Sequence, residues 1–198
     1  MMRSMARQGS GDEMTKLPRT IRLDPSDTFI FERAAEPAEW AVSGSFAFLD
    51  REPSLLTRKE RTALRSGFLG LSSFGWSTLC VVVEATAQER ESAVAQLAAH
   101  LLEAYGAPSL TLARQAAEEE VSFAESLCQH PLQTILAVQR EVEDTGEIRE
   151  RFRTLHARDT SADPDPLHAN LRAFTMVTDS EEPGDGVDLH GLLKTDRT

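Results

Sequence analysis

Trp76-Ser77-Thr78-Leu79-Cys80-Val81-Val82-Val83, followed three residues later by Thr86-Ala87-Gln88-Glu89, is the stretch that sets the fold class. The first eight residues are the most β-branched run in the chain, which suits a central strand. Thr86 and Glu89 then spell a capping box, in which hydroxyl and carboxylate each satisfy the other's backbone N–H. Behind them Val94, Leu97, Ala98, Leu101, Leu102 and Tyr105 recur at the i, i+3, i+4, i+7 spacing of a helix with one apolar face. A strand feeding a covering helix is the start of a layered α+β domain.

Reading toward the C-terminus, Gly106 and Pro108 close that helix and a second runs from about residue 109 to 128. At about 100° per residue, Ala113, Ala117, Val121, Ala124, Leu127 and Cys128 form its apolar arc. Glu118 and Glu119 fall outside the arc, whereas Glu120 falls within it. Residues 134–142 and 147–155 flank Glu143-Asp144-Thr145-Gly146, the length and chemistry of a hairpin loop.

Toward the N-terminus, Thr20-Ile21-Arg22-Leu23 and Thr28-Phe29-Ile30-Phe31 read as two short strands around the turn Asp24-Pro25-Ser26-Asp27. Residues 40–49 alternate, with Trp40, Val42, Phe46 and Phe48 on one face, as a half-buried strand does. Thr57 and Glu60 repeat the capping box and predict a short basic helix ending at Gly67. Gly67-Phe68-Leu69-Gly70-Leu71 reads as an apolar loop, tucked into the core in preference to serving as a docking surface. The expected architecture is a single α+β domain over residues 17–156. It has an antiparallel sheet of about five or six strands with two long helices packed on one face, Trp40, Phe46 and Phe48 meeting Val94, Leu97, Leu101 and Leu102. Residues 1–16 read as a flexible leader. Residues 157–198 read as an acidic, largely disordered tail with one short strand at 171–177.

The chain has 198 residues and a net charge of −11. The acidic body repels phosphate backbones and anionic bilayers, so neither nucleic acid nor membrane is an expected partner. No stretch is long and apolar enough for a membrane span, no apolar segment follows Arg3 and Arg7 to make a secretion signal, and two cysteines 48 positions apart form no disulfide framework. A cytoplasmic setting follows.

Glu120 has two readings: a desolvated general acid or base, or a structural carboxylate held by a neighbouring donor. Arg58, Arg61 and Arg65 share one side of the short helix, and Arg149, Arg151 and Arg153 share one face of the last hairpin strand. In an acidic chain these two groups either grip a carboxylate or phosphate, or form a solvated face. Gly70-Leu71-Ser72-Ser73-Phe74-Gly75-Trp76-Ser77 has phosphate-loop spacing, but Trp76 stands where the lysine belongs and a strand follows rather than a helix. Cys128 and His130 lack a third ligand or orienting group, so no metal and no cofactor is expected.

Thr20 to Asp27, Glu39-Trp40-Ala41, Gly67-Phe68-Leu69-Gly70, Ser73-Phe74-Gly75, Gly106-Ala107-Pro108, Glu118-Glu119-Glu120 and Glu147-Ile148-Arg149 occur in this order. Together they resemble a small bacterial family, a domain of unknown function with no established activity, over about residues 17–156. The resemblance implies an accessory role around cofactor-bearing oxidoreductases. The leading expectation is a non-catalytic binding protein whose arginine surface meets a small anionic ligand or an acidic protein partner. The alternatives are a small-molecule binder or enzyme built on Glu120, and a structural subunit of an assembly.

Overall fold

A computed structural model describes residues 14–49, 51–143, 146–157 and 174–178. The β-branched run lies at the heart of the main sheet as β5 (Leu79–Ala85), paired on one side with β1 (Thr15–Ile21) and on the other with β6 (Ile135–Val142). The hairpin partner β7 (Ile148–Ala157) and then β8 (Phe174–Thr178) extend it in the order β1-β5-β6-β7-β8, every pair antiparallel. β8 overlaps the tail strand expected at 171–177 and runs one residue beyond it. The rest of the leader and tail lies outside the described residues, except that β1 already begins at Thr15.

The mixed helix-and-strand, single-domain reading holds, but the one sheet is two. β2 (Ala41–Val42), β3 (Phe68–Gly70) and β4 (Trp76–Ser77) form a separate antiparallel sheet. The run from Trp76 to Val83 is split between the sheets at Thr78. Its N–H and hydroxyl both donate to the buried Asp27 carboxylate, at 3.2 and 2.9 Å. The expected apolar loop after Gly67 is β3 itself, wholly buried.

Of two other expected strands, one is a helix and one is cut short. Thr28 to Phe31 belong to α1 (Ser26–Ile30), because Asp24 accepts the Ser26 N–H at 2.7 Å and Thr28 donates to the Pro25 carbonyl at 2.6 Å, so the turn continues into one helical coil. The alternating run from Trp40 stops after Val42. Gly44 adopts φ +77°, and residues 45–48 wind into a 3₁₀ turn.

The helical readings survive. α2 (Arg58–Ser66) and α3 (Ala87–Ala104) both carry complete capping boxes, and Ser109 caps α4 (Leu110–Ser126). Gly67 ends α2 at φ −103°, so it is not needed for a left-handed turn. It is needed for space, since a Cβ there would lie 2.8 Å from Trp76 Cε3 and 2.9 Å from the Ala63 carbonyl.

The largest core lies between α3, α4 and the strands. Ala93, Val94, Leu97, Ala98 and Leu101 of α3 and Ala113, Ala117, Val121 and Ala124 of α4 meet Leu17, Val42, Leu69, Leu71 and Ala85. Each fully buried Leu or Val there contributes about 1.5–3 kcal/mol, and the small residues of α4 let the two helices approach closely. Trp40 and Phe46 pack on this core as expected. Phe48 instead joins Phe31, Leu56, Ala63 and Leu64 beneath α2, and Leu102 is exposed, because the turn at Gly44 sends the two phenylalanines different ways.

Candidate functional site

Glu120 turns inward from α4, as the helical angle predicts, but its Oε1 accepts the Gly44 N–H at 2.9 Å. The left-handed turn at Gly44 presents that N–H. Desolvation lifts the Glu120 carboxyl above its ordinary value; the Gly44 hydrogen bond and Arg140 oppose the lift, and the Glu150 charge adds to it. The other two carboxylates of the triplet are not equivalent. Glu119 is exposed, whereas Glu118 pairs with Arg90 at 2.7 Å, and Arg90 also reaches Glu125 at 3.0 Å, tying α3 to α4.

Beside Glu120 lies a residue the sequence reading missed. Arg140, on β6, is 1% exposed and makes bonds in every direction. Nε donates to Glu150 (2.5 Å), Nη1 to the carbonyls of Leu64 (3.1 Å) and Gly67 (2.8 Å), and Nη2 to the carbonyl (2.5 Å) and hydroxyl (2.9 Å) of Ser43. The Ser43 hydroxyl in turn donates to Glu150 at 2.5 Å. The period-two rhythm Leu136, Val138, Arg140 carried the signal, since all three sit on the buried side of the strand. Arg140 caps the C-terminal carbonyls of α2 and binds them to β2 and the hairpin.

Held by the Gly44 N–H and desolvated, Glu120 has a definite pH signature. A carboxyl whose folded value lies above its unfolded 4.5 holds its proton more tightly when folded, so its stabilisation is full below 4.5 and is lost as pH rises through the folded value. Glu120→Gln keeps an oxygen for Gly44 and removes the buried charge. Thermal melts from pH 5 to 9 should find the variant within about 1 kcal/mol of wild type at pH 5 and at or above it at pH 8. A variant clearly less stable at pH 8 would mean that the ionised form stabilises the fold.

The six surface arginines separate. Arg58 and Arg61 are exposed on α2, Arg149 pairs with Glu143 at 3.1 Å, and Arg151 is exposed opposite Gln139. Arg65 and Arg153, from the two different groups, come together. β5 pairs with β6 only over residues 79–81 and 135–137, and α2 packs along β6. Between them lies a groove of about 360 Å³, lined by Thr62, Arg65, Ser66, Ala137, Gln139 and Arg153 among others. The hydroxyls of Thr62 and Ser66 donate to helix carbonyls one turn back, which leaves the arginines as the groove's cationic donors. Arg153 Nε is buried, and among the described residues it has no hydrogen-bond partner. No carboxylate lines the groove among the described residues.

The glycine-rich turn after β3 is closed from within. Glu39, 7% exposed, accepts the N–H groups of Ser72 (2.9 Å) and Ser73 (2.8 Å) on Oε2 and that of Glu36 (2.7 Å) on Oε1. Burial pushes its carboxyl up, but the hydrogen bonds from Ser73, Glu36 and Ser72 outweigh it and hold Glu39 below its ordinary value. A Cβ on Gly70 would lie 2.6 Å from Glu39 Oε2, and one on Gly75 would lie 2.5 Å from the Ala34 backbone. Cys128 is buried among Cys80, Val82 and Leu136, and burial pushes its thiol up to about 12, which removes it as a nucleophile at neutral pH. His100 on α3 is stacked on Phe74 with ring centroids 3.4 Å apart.

A family of unknown function (DUF6505) matches residues 14–173 of the chain. The chain belongs to this family. The match opens one residue before β1 and closes one residue before β8, so it covers both sheets up to β7, all four helices and the groove. No curated protein and no solved structure matches. The family carries no activity to transfer, and the segments quoted from the sequence act largely as frame: Asp27 holds Thr78, Glu39 closes the 70–75 turn, and Gly67 makes room for Trp76.

Proposed function

We propose that the protein is a non-catalytic binding protein that takes an anionic group, a carboxylate or phosphate of a small ligand or of an acidic protein partner, in the groove between α2 and the β6–β7 hairpin. The observation that carries this reading is the convergence of Arg65 and Arg153 on a groove without a carboxylate, with Arg153 Nε buried and unpartnered among the described residues. A buried cationic donor without an acceptor costs stability, and a bound anion supplies the acceptor. Among the described residues the lining holds no Cys, His, Asp or Glu, which favours binding over chemistry.

The test is a pull-down from native cells, paired with calorimetric titration of each captured ligand. Arg65→Glu/Arg153→Glu should weaken binding by about tenfold or more, whereas Arg58→Glu/Arg61→Glu should bind as wild type. Melting curves establish that both variants are folded. The same partners at the same affinity in the first variant would end this assignment.

A further inference from the structure

On the other side of α2, facing away from the Arg65–Arg153 groove, lies a second cleft of about 370 Å³, within the size range of small-molecule sites. Its walls come from five parts of the chain. Phe48, Trp76 and Tyr105 supply aromatic surface, and Arg33, Arg51 and Lys59 supply cations. Glu32 and Glu60 also line it, so among the described residues its charged lining is net positive in a chain of net charge −11. We propose that this cleft binds a planar aromatic molecule carrying one anionic group, the ring against Trp76 and Phe48 and the anion at the cations.

The aromatic wall is preformed. The rings of Trp76 and Phe48 lie 5.2 Å apart at 33°. Trp76 is seated between two glycines, because a Cβ on Gly67 would come within 2.8 Å of the indole and one on Gly44 within 3.1 Å. Tyr105 is held edge-on by Phe46 and His100, each at 5.4 Å.

The cations are held by the same frame. The Trp76 N–H donates to the Arg33 carbonyl and the Ala35 N–H to the Trp76 carbonyl, both at 2.9 Å, so Arg33 and the indole are fixed to one another through the backbone. The Arg33 guanidinium donates to the Ser73 carbonyl at 3.2 Å, and Lys59 Nζ donates to the carbonyl of the fully buried Phe31 at 3.1 Å. Each of these bonds uses part of a donor set and leaves the remainder for a ligand. Arg51 pairs with Glu60 at 2.5 Å, and the other Glu60 oxygen accepts the Thr57 N–H at 2.8 Å, so the capping box occupies the acid that would compete for the remaining cations. An aromatic wall edged by cations held in hydrogen bonds selects a ring with a charge on it, by stacking and by charge-assisted hydrogen bonds together.

The chain has two tryptophans, so in Trp40→Phe protein Trp76 alone reports on the cleft. The probes are adenosine 5′-monophosphate, indole-3-carboxylate, adenosine and inorganic phosphate. Binding is read as quenching of Trp76 in Trp40→Phe protein, and that of phosphate, which does not quench, as relief of the quenching by a ring-bearing probe. At least one of the first two should quench Trp76 saturably, with adenosine and phosphate each about tenfold weaker or worse. Arg33→Ala/Arg51→Ala should lower that affinity by a similar factor with an unchanged melt, and Lys59→Gln supplies the same reading if the double variant is destabilised. Arg65→Glu/Arg153→Glu should bind the probe as wild type, which separates this cleft from the groove of the proposed function. The inference is overturned if neither ring-bearing anion saturates, if adenosine or phosphate alone binds as well, or if the cation variants bind unchanged.

Discussion

Arg140→Met is expected to lose about 3–5 kcal/mol of stability, the largest single effect of any side chain named above. Methionine fills much of the space but leaves the carbonyls of Leu64, Gly67 and Ser43 without their donor, and the Glu150 carboxylate without its cation. Glu120 also loses the positive charge that opposes its desolvation. Domains of this size have about 5–15 kcal/mol in total, so the variant should be marginal at 37 °C. Urea denaturation at pH 7 measures the loss, and Arg151→Met, on the exposed face of β7, should stay within about 0.5 kcal/mol of wild type. Arg140→Lys should rescue little, because an ammonium on a single stem cannot reach a carboxylate and three carbonyls that lie in different directions. Arg140→Met/Glu150→Gln should recover part of the loss by removing the stranded charge. A single variant that loses less than about 1 kcal/mol would mean that the network relaxes around the missing guanidinium.

Glu39→Ala should cost about 3 kcal/mol at pH 7, since three part-buried N–H groups lose a buried, charged acceptor at once. The pH dependence identifies the cause. Glu39 sits below its unfolded value near 4.5, so its contribution is fully present above 4.5 and is lost as pH falls through the lower folded value. Wild type and variant should therefore converge in stability as pH falls below 4.5 and through the lower folded value, and Glu120, shifted the other way, cannot produce that convergence. Chemical denaturation at pH 7, 5, 4 and 3 makes the comparison. A gap that stays constant from pH 7 to 3 would assign the loss to packing rather than to the ionised carboxylate.

The features legible in the sequence are those whose causes are local. Thr57 with Glu60 and Thr86 with Glu89 satisfy one another within a single turn, and the α4 arc follows from helical angle alone, so both helix starts and the inward turn of Glu120 could be read directly. The hairpin around Gly146 needed only its own loop. Where the reading failed, the cause lay far along the chain. Thr78 leaves the ladder because Asp27, 51 residues earlier, takes both its donors. Gly44 breaks the run from Trp40 at a turn whose N–H is held by Glu120, 76 residues later. Arg140 was legible from strand parity, but its partners were not, since they come from α2, β7 and the turn after β2. Both groove arginines could be picked out by sequence, yet Arg65 and Arg153 become neighbours only because α2 docks along β6, a long-range packing event that no spacing encodes.

The turn at Ser72 and Ser73 shows how a receptor can be built and filled by one polypeptide. Successive N–H groups converging on an oxyanion are the grip by which many proteins hold a free phosphate; here the guest is Glu39, delivered on a tether rather than from solution. Closing this turn is therefore an intramolecular association, governed by effective concentration. The order of the turn is thermodynamically coupled to that of residues 36–39, and Trp76, which follows the turn directly, shares in the coupling through its backbone bonds to Arg33 and Ala35.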